Sequence, residues 1–165
     1  MPSHETLWTP WRSRWVTEIG RPDGNCPFCV PDSATPSVEN LVVHRGSSCL
    51  AMLNLYPYNG GHLLVVPNRH VPRLRDLDSS ERAELQELLV RSQDVLDRTH
   101  RPHGFNIGLN EGRIAGAGIA EHLHWHIVPR WDGDASFMTT VAGTRIIPDD
   151  LATCWTRVRK GFEDS

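Results

Sequence analysis

Five short runs of apolar residues predict the β-strands of this chain. They are separated by segments rich in Gly, Pro, Asn and Ser, which is typical of strands joined by turns and loops. The third run is almost continuously apolar, so we expect both of its faces to be buried. The predicted strands are Leu41–Val43, Cys49–Leu53, His62–Pro67, Gly104–Asn110 and His122–Val128.

A helical pattern separates the third and fourth strands. Leucine and valine recur at helical spacing between Asp78 and His100, and Asp78 followed by Glu81 resembles a capping box at a helix start. A second helix is predicted near the C-terminus, where Pro148 precedes apolar residues at helical spacing. This order of elements favours an α+β fold with a five-stranded, mainly antiparallel sheet, one long helix and a C-terminal helix.

The last predicted strand carries His122, His124 and His126, which alternate with Leu, Trp and Ile. Successive side chains of a strand point to opposite faces, so we expect all three imidazoles on one face, with Cα atoms about 6.5–7 Å apart. Such a row presents nucleophile, acid and ligand nitrogens to a small anion near neutral pH. His124, flanked on both sides, is the geometric choice for a nucleophile toward phosphorus. His126 is then expected to hydrogen-bond phosphate or to protonate the leaving group.

Length and charge limit the kind of protein. The 165 residues fit one domain, and a net charge of −3 without a basic run argues against a binder of nucleic acid polymers. No apolar run approaches the roughly 18–20 residues of a membrane span, and the start lacks a signal pattern, so we expect a cytoplasmic protein. Trp8, Trp11 and Trp15 are spaced to share one face of a short helix, which favours packing in the core or at a dimer interface.

The four cysteines do not predict disulfides. Cys26 and Cys29 stand in the pattern Cys-Pro-Phe-Cys, and in a reducing compartment such a pair is typical of metal binding or redox chemistry. A structural tetrahedral zinc site needs two further ligands, and His44 is one candidate. Cys49 and Cys154 are expected to be buried as small hydrophobic residues.

The stretch His122–Val128 resembles the signature of the histidine triad (HIT) family, His-φ-His-φ-His-φ-φ with φ apolar, and matches it at every position. Segments that resemble the family's nucleotide pocket occur in the family's order at Asn54, Gly61–Pro67 and Asn110–Gly112. The resemblance implies the HIT-like fold, usually as a homodimer whose sheet continues across the two subunits.

The resemblance divides the chain into a core and two extensions. It covers residues 26–131, between a tryptophan-rich N-terminal extension over residues 1–25 and a C-terminal extension over residues 132–165. We expect all three parts to form a single domain over residues 1–165.

Roles for the pocket residues follow from the same resemblance. It implies that His124 carries the nucleotidyl group covalently during turnover. Glycines in the loop over residues 112–118 let backbone N–H groups approach phosphate oxygens. Where family members often have Gln, Ser or Thr, this chain has Ala-Gly-Ile-Ala at residues 117–120, which leaves the leaving-group contact and the exact substrate open. The implied substrate-binding residues are Asn54 at the ribose, His62, Asn110 near a phosphate, Gly116 and Gly118.

The resemblance also completes a metal site. Many bacterial relatives add to the Cys pair a histidine that follows the Gly-His-φ-φ-φ-φ-Pro strand and the first histidine of the triad, which are His70 and His122 here. It therefore implies a structural zinc on Cys26, Cys29, His70 and His122. Such a metal would hold the catalytic strand against the Cys pair.

These residues favour an enzyme that transfers or hydrolyses a nucleotidyl group at the α-phosphorus of an adenosine nucleotide or dinucleotide. Diadenosine polyphosphates are the preferred substrates, because Leu7–Trp11 and Gly133–Met138 resemble the bacterial diadenosine-polyphosphate phosphorylase or hydrolase branch. Phosphate and water both stay open as acceptors. The alternatives are a nucleoside phosphoramidate hydrolase, a metalloenzyme with zinc hydroxide on the triad, and a nucleotide-binding regulator without catalysis.

Overall fold

The computed structural model describes residues 26–134 and 149–165. Within these ranges five strands form one sheet and two α-helices accompany it. The strands are β1 Val42–Arg45, β2 Cys49–Leu53, β3 Leu63–Pro67, β4 Gly104–Leu109 and β5 Trp125–Arg130, and the helices are α1 Ser79–His100 and α2 Leu151–Glu163. The strand order is β1-β2-β3-β5-β4, and every neighbouring pair is antiparallel. The predicted α+β fold is confirmed.

Helix α1 covers one side of the sheet. Its N-cap is Asp78, whose side chain accepts from the Glu81 N–H, while the Glu81 carboxylate accepts from the Asp78 N–H. This is the predicted capping box. The helix packs on β2, β3, β5 and α2. Its buried residues repeat at helical spacing and are Glu81, Leu85, Leu88, Leu89, Ser92, Val95 and Leu96.

Strands β2 and β3 form the centre of the core, and all of their residues are buried. The continuous apolar run of β3 therefore has both faces covered, as predicted. Cys49 and Cys154 are also buried, which confirms their expected role as small hydrophobic residues. Burial raises the pKa of the Cys49 thiol to about 12, so this thiol stays protonated.

The strand predicted at His122 begins only at Trp125 and continues to Arg130. The prediction was wrong for the first residues because they bond elsewhere. The Leu123 N–H donates to the Val71 carbonyl over 2.7 Å, and the His122 ring donates to the Pro67 carbonyl over 2.9 Å. These contacts tie the segment to the end of β3 and the loop after it, outside the β3–β5 ladder.

Helix α2 begins at Leu151 behind an Asp150 N-cap, whose carboxylate accepts from the Thr153 N–H over 2.8 Å. Its predicted start at Pro148 and the predicted face of Trp8, Trp11 and Trp15 lie outside the described residues. In the two described ranges, neither helix combines the length and the apolar character that a membrane crossing requires.

Candidate active site

A cavity of about 310 Å³ lies where β3, the loop over residues 54–61 and the glycine-rich loop before β5 meet. His124 and His126 form part of its wall, and their ring centroids are 5.1 Å apart. The first triad histidine, His122, does not line this cavity and packs instead against His70. The three histidines are therefore divided between two sites. The rings of His124 and His126 share the cavity, whereas the ring of His122 faces the Cys pair.

His124 is held in one tautomer by its own chain. Its Nδ1 lies 2.8 Å from the His122 carbonyl oxygen. Because a carbonyl only accepts, Nδ1 carries the proton and Nε2 keeps its lone pair. The side chain is only 5% exposed. Burial lowers the pKa of His124, although the hydrogen bond to His122 opposes this shift, so the ring is neutral near pH 7 with a nucleophilic Nε2.

His126 is oriented by a buried fourth histidine. The Tyr58 N–H donates to His62 Nδ1 over 3.0 Å, and Asn54 Nδ2 lies 3.3 Å from the same nitrogen. His62 Nδ1 is therefore an acceptor, so the proton of the neutral ring is on Nε2. That Nε2 lies 3.0 Å from His126 Nδ1 and donates to it.

Two consequences follow from this chain of hydrogen bonds. The neutral His126 ring carries its own proton on Nε2, where it can serve as a donor at the cavity. Burial, with smaller contributions from His126 and His124, lowers the pKa of His62 to about 3. His62 therefore stays neutral and keeps its donor role across the physiological range. It is 1% exposed and bonds protein groups on both ring nitrogens, so it contacts the site through His126, and its predicted role in substrate binding stays a prediction.

The loop over residues 54–61 is anchored to the end of β5. Asn59 Nδ2 donates to the Pro129 carbonyl and to Asp134 Oδ2, each over 3.0 Å. The Arg130 guanidinium in turn donates to both carboxylate oxygens of Asp134. Within the loop, the Tyr58 ring lies 4.8 Å from the His62 ring and 5.9 Å from the His126 ring. The loop therefore places the Tyr58 ring next to both His62 and His126, the two histidines joined by a hydrogen bond.

The glycine-rich loop adopts backbone angles that favour glycine. Gly112 and Gly116 have φ values of 89° and 96° around a short 3₁₀ turn over Arg113–Ala115. Gly116 and Gly118 line the cavity. The Gly116 N–H donates to the Arg113 carbonyl over 3.0 Å and so closes the short turn. Asn110 does not line the cavity, and its amide lies 3.5 Å from the Gly116 carbonyl.

A larger apolar cavity of about 690 Å³ adjoins the first. Asn54, Leu64 and Phe28 belong to both cavities. Asn54 thus stands where the cavity with the two histidines meets the larger, more apolar one. Beyond this junction the apolar cavity is bounded by Met52 and by Leu151 at the start of α2.

A second group of polar side chains comes together beside the first triad histidine. The ligand atoms of Cys26, Cys29, His70 and His122 all lie within 4.8 Å of one another. Three contacts within the cluster are Cys29 Sγ to His70 Nδ1 at 3.2 Å, and Cys26 Sγ and Cys29 Sγ to His122 Nδ1 at 3.3 and 3.5 Å. Bonds of about 2.0–2.3 Å at tetrahedral angles place zinc ligands roughly 3.3–3.8 Å apart, and the three contacts of 3.2–3.5 Å are close to that separation.

The tautomer of His122 also fits a metal ligand. Its Nε2–H donates to the Pro67 carbonyl, which leaves the lone pair on Nδ1 among the thiols. Metal-bound histidines are commonly oriented in this way by a carbonyl acceptor. Burial is the main cause that lowers the pKa of His122 to about 4, so the ring is available as a neutral ligand. The rival ligand His44 lies elsewhere, stacked on Phe162 with its Nε2 beside Arg91, and is not part of the cluster.

Two aromatic residues of the site escaped sequence analysis. Phe28 lies between the two cysteines and places its ring 4.8 Å from the His124 ring. Tyr58 covers His62 and His126. The available signals were the aromatic residue inside the Cys-x-x-Cys pair and the aromatic residue four positions before His62. Neither signal shows which ring an aromatic residue will contact.

Comparison with known proteins identifies the family of this chain and several of its relatives. The HIT domain family model matches residues 35–133. An AP-4-A phosphorylase from Mycobacterium tuberculosis is 45% identical over 93% of this chain and 85% of its own length. The asymmetrical bis(5'-nucleosyl)-tetraphosphatase of Schizosaccharomyces pombe is 38% identical over 60% of this chain and 54% of its own length.

Solved structures share the architecture. A zinc-bound histidine triad family protein from Mycobacterium smegmatis superimposes with a TM-score of 0.62 and 26% identity, covering 75% of this chain and 84% of that protein.

Proposed function

Because the chain belongs to the HIT domain family, we propose that it is an enzyme that cleaves diadenosine polyphosphates at the α-phosphorus through a nucleotidyl-histidine intermediate. The substrate class is supported by the relatives named AP-4-A phosphorylase and bis(5'-nucleosyl)-tetraphosphatase. The observation that carries the proposal is the hydrogen bond from His124 Nδ1–H to the His122 carbonyl. It leaves a neutral ring with its Nε2 lone pair as part of the cavity wall.

The first half of the reaction forms the intermediate. The Nε2 lone pair of His124 attacks the α-phosphorus, and a P–N bond replaces the P–O bond to the leaving polyphosphate. The electron pair of the broken bond stays on the oxygen of the leaving polyphosphate. That oxygen accepts a hydrogen bond from His126 Nε2–H, and the neutral ring keeps its proton because it is too weak an acid to lose it near pH 7. Donation from His62 Nε2–H to His126 Nδ1 holds the His126 ring in the tautomer that this step needs. Splitting the displacement in two in this way lowers each barrier.

The second half returns the enzyme to its starting state. A phosphate ion or a water molecule attacks the same phosphorus, the P–N bond breaks, and its electron pair returns to His124 Nε2. A phosphate ion attacks through an anionic oxygen, and when water is the acceptor the proton that it loses passes to solvent. With diadenosine tetraphosphate, phosphate yields ADP and ATP, whereas water yields AMP and ATP.

The cavities fit the two parts of such a substrate. We assign the smaller cavity, beside His124, His126 and Gly118, to the phosphates and the apolar cavity to the adenine base. Asn54 at their junction is assigned to the ribose. Burial of a planar base among apolar side chains is favourable in proportion to the area removed from water. Asn110 and Gly116 are assigned to the shape of the phosphate loop.

Zinc on the Cys–His cluster is part of the proposal. Cys26, Cys29, His70 and His122 would hold it, and its role there is to cross-link the segment before β5 to the Cys pair. The likeness to a zinc-bound family structure supports this assignment. A hydroxide-forming zinc on the triad is disfavoured, because among the described residues the metal-binding cluster includes His122 but neither His124 nor His126.

For the whole chain we propose a single domain, a homodimer and a cytoplasmic location. The dimer is supported by the position of β4 at the edge of the sheet, where Ile107 is 40% exposed. An exposed edge strand can pair with the same strand of a second copy. Light scattering on the full-length protein tests the dimer.

Product analysis tests the proposed reaction. The full-length protein is incubated with diadenosine tetraphosphate in ¹⁸O-labelled water, with and without phosphate, and the nucleotides are identified by mass spectrometry. ADP and ATP in phosphate, or ¹⁸O-labelled AMP with unlabelled ATP, support attack at the α-phosphorus. Adenosine 5'-phosphoramidate in the same assay tests the alternative substrate class. Formation of two ADP molecules without phosphate would contradict the proposal.

A further inference from the structure

His122 connects the metal-binding cluster to the nucleophile through three separate atoms. Its Nδ1 faces the two thiols, its Nε2–H donates to the Pro67 carbonyl, and its own carbonyl oxygen accepts from His124 Nδ1–H. One residue therefore takes part in the cluster through its ring and fixes the tautomer of the nucleophile through its backbone. A rotation or displacement of His122 changes both contacts together.

Phe28 makes a second connection. It lies between Cys26 and Cys29 in a turn closed by the Cys29 N–H donating to the Cys26 carbonyl over 3.1 Å. The ring is buried, with its centroid 4.8 Å from that of His124 and 5.7 Å from that of His122. It contacts the His122 ring edge-on at an interplanar angle of 88°. The position of the Cys turn therefore decides how closely His124 is packed.

On the basis of the proposed function, we propose that His122 and Phe28 are positioning residues that make the orientation of His124 depend on ligation of Cys26, Cys29, His70 and His122. The four ligands belong to three separate segments of the chain, which are the Cys turn, the loop after β3 and the segment before β5. When all four share one cation, the Cys turn and His122 are fixed relative to each other. Phe28 and the His122 carbonyl then hold Nε2 of His124 toward the phosphorus.

Without a cation the same groups are held less firmly. The sulfur–nitrogen contacts within the cluster span 3.2–3.5 Å and involve weak thiol donors, and Cys29 and His70 are exposed. Misplacement of a catalytic group by about 1 Å costs roughly 100-fold in rate, and loss of residues that orient a reactive centre costs roughly 10–100-fold. We therefore expect loss of ligation to slow attack by His124 while leaving the apolar cavity, and hence nucleotide affinity, nearly unchanged.

The first test measures nucleotidyl transfer to His124 in a single turnover. Full-length protein is prepared with zinc, stripped with a chelator, and reloaded with zinc, and the metal content of each sample is measured. We expect about a tenfold or larger fall in the rate of nucleotidyl-enzyme formation on stripping, recovery on reloading, and an AMP dissociation constant changed less than about threefold. ¹⁵N spectra of histidine-labelled protein should show the His124 Nδ1–H tautomer sharpened by zinc. Protein that takes up no zinc, or a rate and spectrum that ignore zinc, overturns the proposal.

The second test keeps the ligands and changes only the connecting ring. Phe28→Leu should bind zinc with full stoichiometry and melt cooperatively, yet form the intermediate about tenfold more slowly, whereas Phe28→Tyr should restore most of the rate. Cys154→Ala, which removes a buried thiol outside the cluster, is the matched control and should keep both zinc and rate. If removal of zinc unfolds the protein, the rate of Phe28→Leu with zinc bound tests the proposal in place of the stripped sample. A native rate in Phe28→Leu contradicts the proposal.

These outcomes separate this inference from the proposed function. If native protein forms the intermediate and neither zinc nor Phe28 alters its rate, only the inference about positioning fails. If native protein with zinc forms no intermediate from diadenosine tetraphosphate while still turning it over, the proposed mechanism fails with it.

Discussion

His62 Nε2 lies 3.0 Å from His126 Nδ1, although the two residues are 64 positions apart in the chain. This contact determines which nitrogen of His126 carries a proton, because His62 is itself fixed as a donor by the Tyr58 N–H on its other nitrogen. A buried imidazole outside the triad therefore sets the tautomer of an imidazole in the cavity wall. The proposed hydrogen bond to the leaving group depends on that arrangement.

Replacing His62 tests this dependence. His62→Leu removes the donor to His126, and we expect kcat to fall about 10–100-fold with a smaller change in KM, since the residue does not line the cavity. His62→Gln can return an amide N–H near the same position and should recover part of the loss. Thermal melting establishes that both variants fold. Equal kcat for the native protein and His62→Leu would exclude a role for this contact in turnover.

The same variant makes a prediction about stability and pH. The pKa of His62 is about 3 in the folded protein and about 6.5 in an unfolded chain, so between these values only the unfolded state binds the proton. Acid therefore favours unfolding, and this residue contributes a loss of about 1.4 kcal/mol per pH unit once the pH is below about 6.

Denaturant titrations at pH 5.0 to 6.5 should show this contribution. The free energy of unfolding of native protein should decrease toward low pH more steeply than that of His62→Leu. The difference between the two slopes should approach about 1.4 kcal/mol per pH unit, which corresponds to the binding of one proton. Titrating groups that do not interact with His62 are common to both proteins and cancel in the comparison. Parallel slopes would contradict the assignment of His62 as a buried neutral imidazole.

Tyr58 allows the aromatic cover to be separated from the phenol group. Its ring contacts the rings of His62 and His126. Tyr58→Phe keeps that ring and should retain kcat within about threefold. Tyr58→Ala exposes the hydrogen bond between His62 and His126 to water and should lower kcat about tenfold. Steady-state kinetics at saturating substrate measure both. An equal loss in Tyr58→Phe and Tyr58→Ala would contradict this, because it would assign the effect to the hydroxyl that both variants lack.

The anchor of the loop over residues 54–61 is tested at Asn59, which bonds Pro129 and Asp134. Asn59→Ala should raise KM several-fold because the loop shapes the cavity, and should lower the free energy of unfolding by about 1 kcal/mol for the lost hydrogen bonds. Asn68→Ala is the matched control, since that side chain donates to the Ser47 carbonyl away from the cavity. We expect Asn68→Ala to leave KM unchanged. An equal KM in both variants would show that the anchor does not shape the cavity.

The elements of the fold could be predicted because their signals are local. The capping box at Asp78 and Glu81 and the apolar run of β3 depend on residues close together in the chain, and the structure has both. The start of β5 could not be predicted, because Leu123 bonds to Val71 and His122 to Pro67, which are distant in the sequence. Alternation alone extended the strand back to His122.

The candidate site shows the same difference between features with a local sequence signal and features that depend on contacts between distant segments. The four residues predicted for a metal come together, and His124 and His126 share a cavity. The position of His62 behind His126, and of Phe28 against His124, depends on packing between segments that no sequence spacing reports. Roles for individual residues stay predictions until the variants are measured, as do the homodimer and the cytoplasmic location.

The central claim is that His124 Nε2 becomes bonded to phosphorus during turnover. Mixing the full-length protein with diadenosine tetraphosphate, quenching in alkali and sequencing the proteolytic peptides by mass spectrometry locates the bond directly. The account predicts one added AMP moiety on His124 within a single turnover, no added mass in His124→Asn, and a loss of turnover of roughly 10³-fold or more in that variant while nucleotide binding is kept. Turnover by His124→Asn at the native rate, or AMP attached to a different residue, would contradict it.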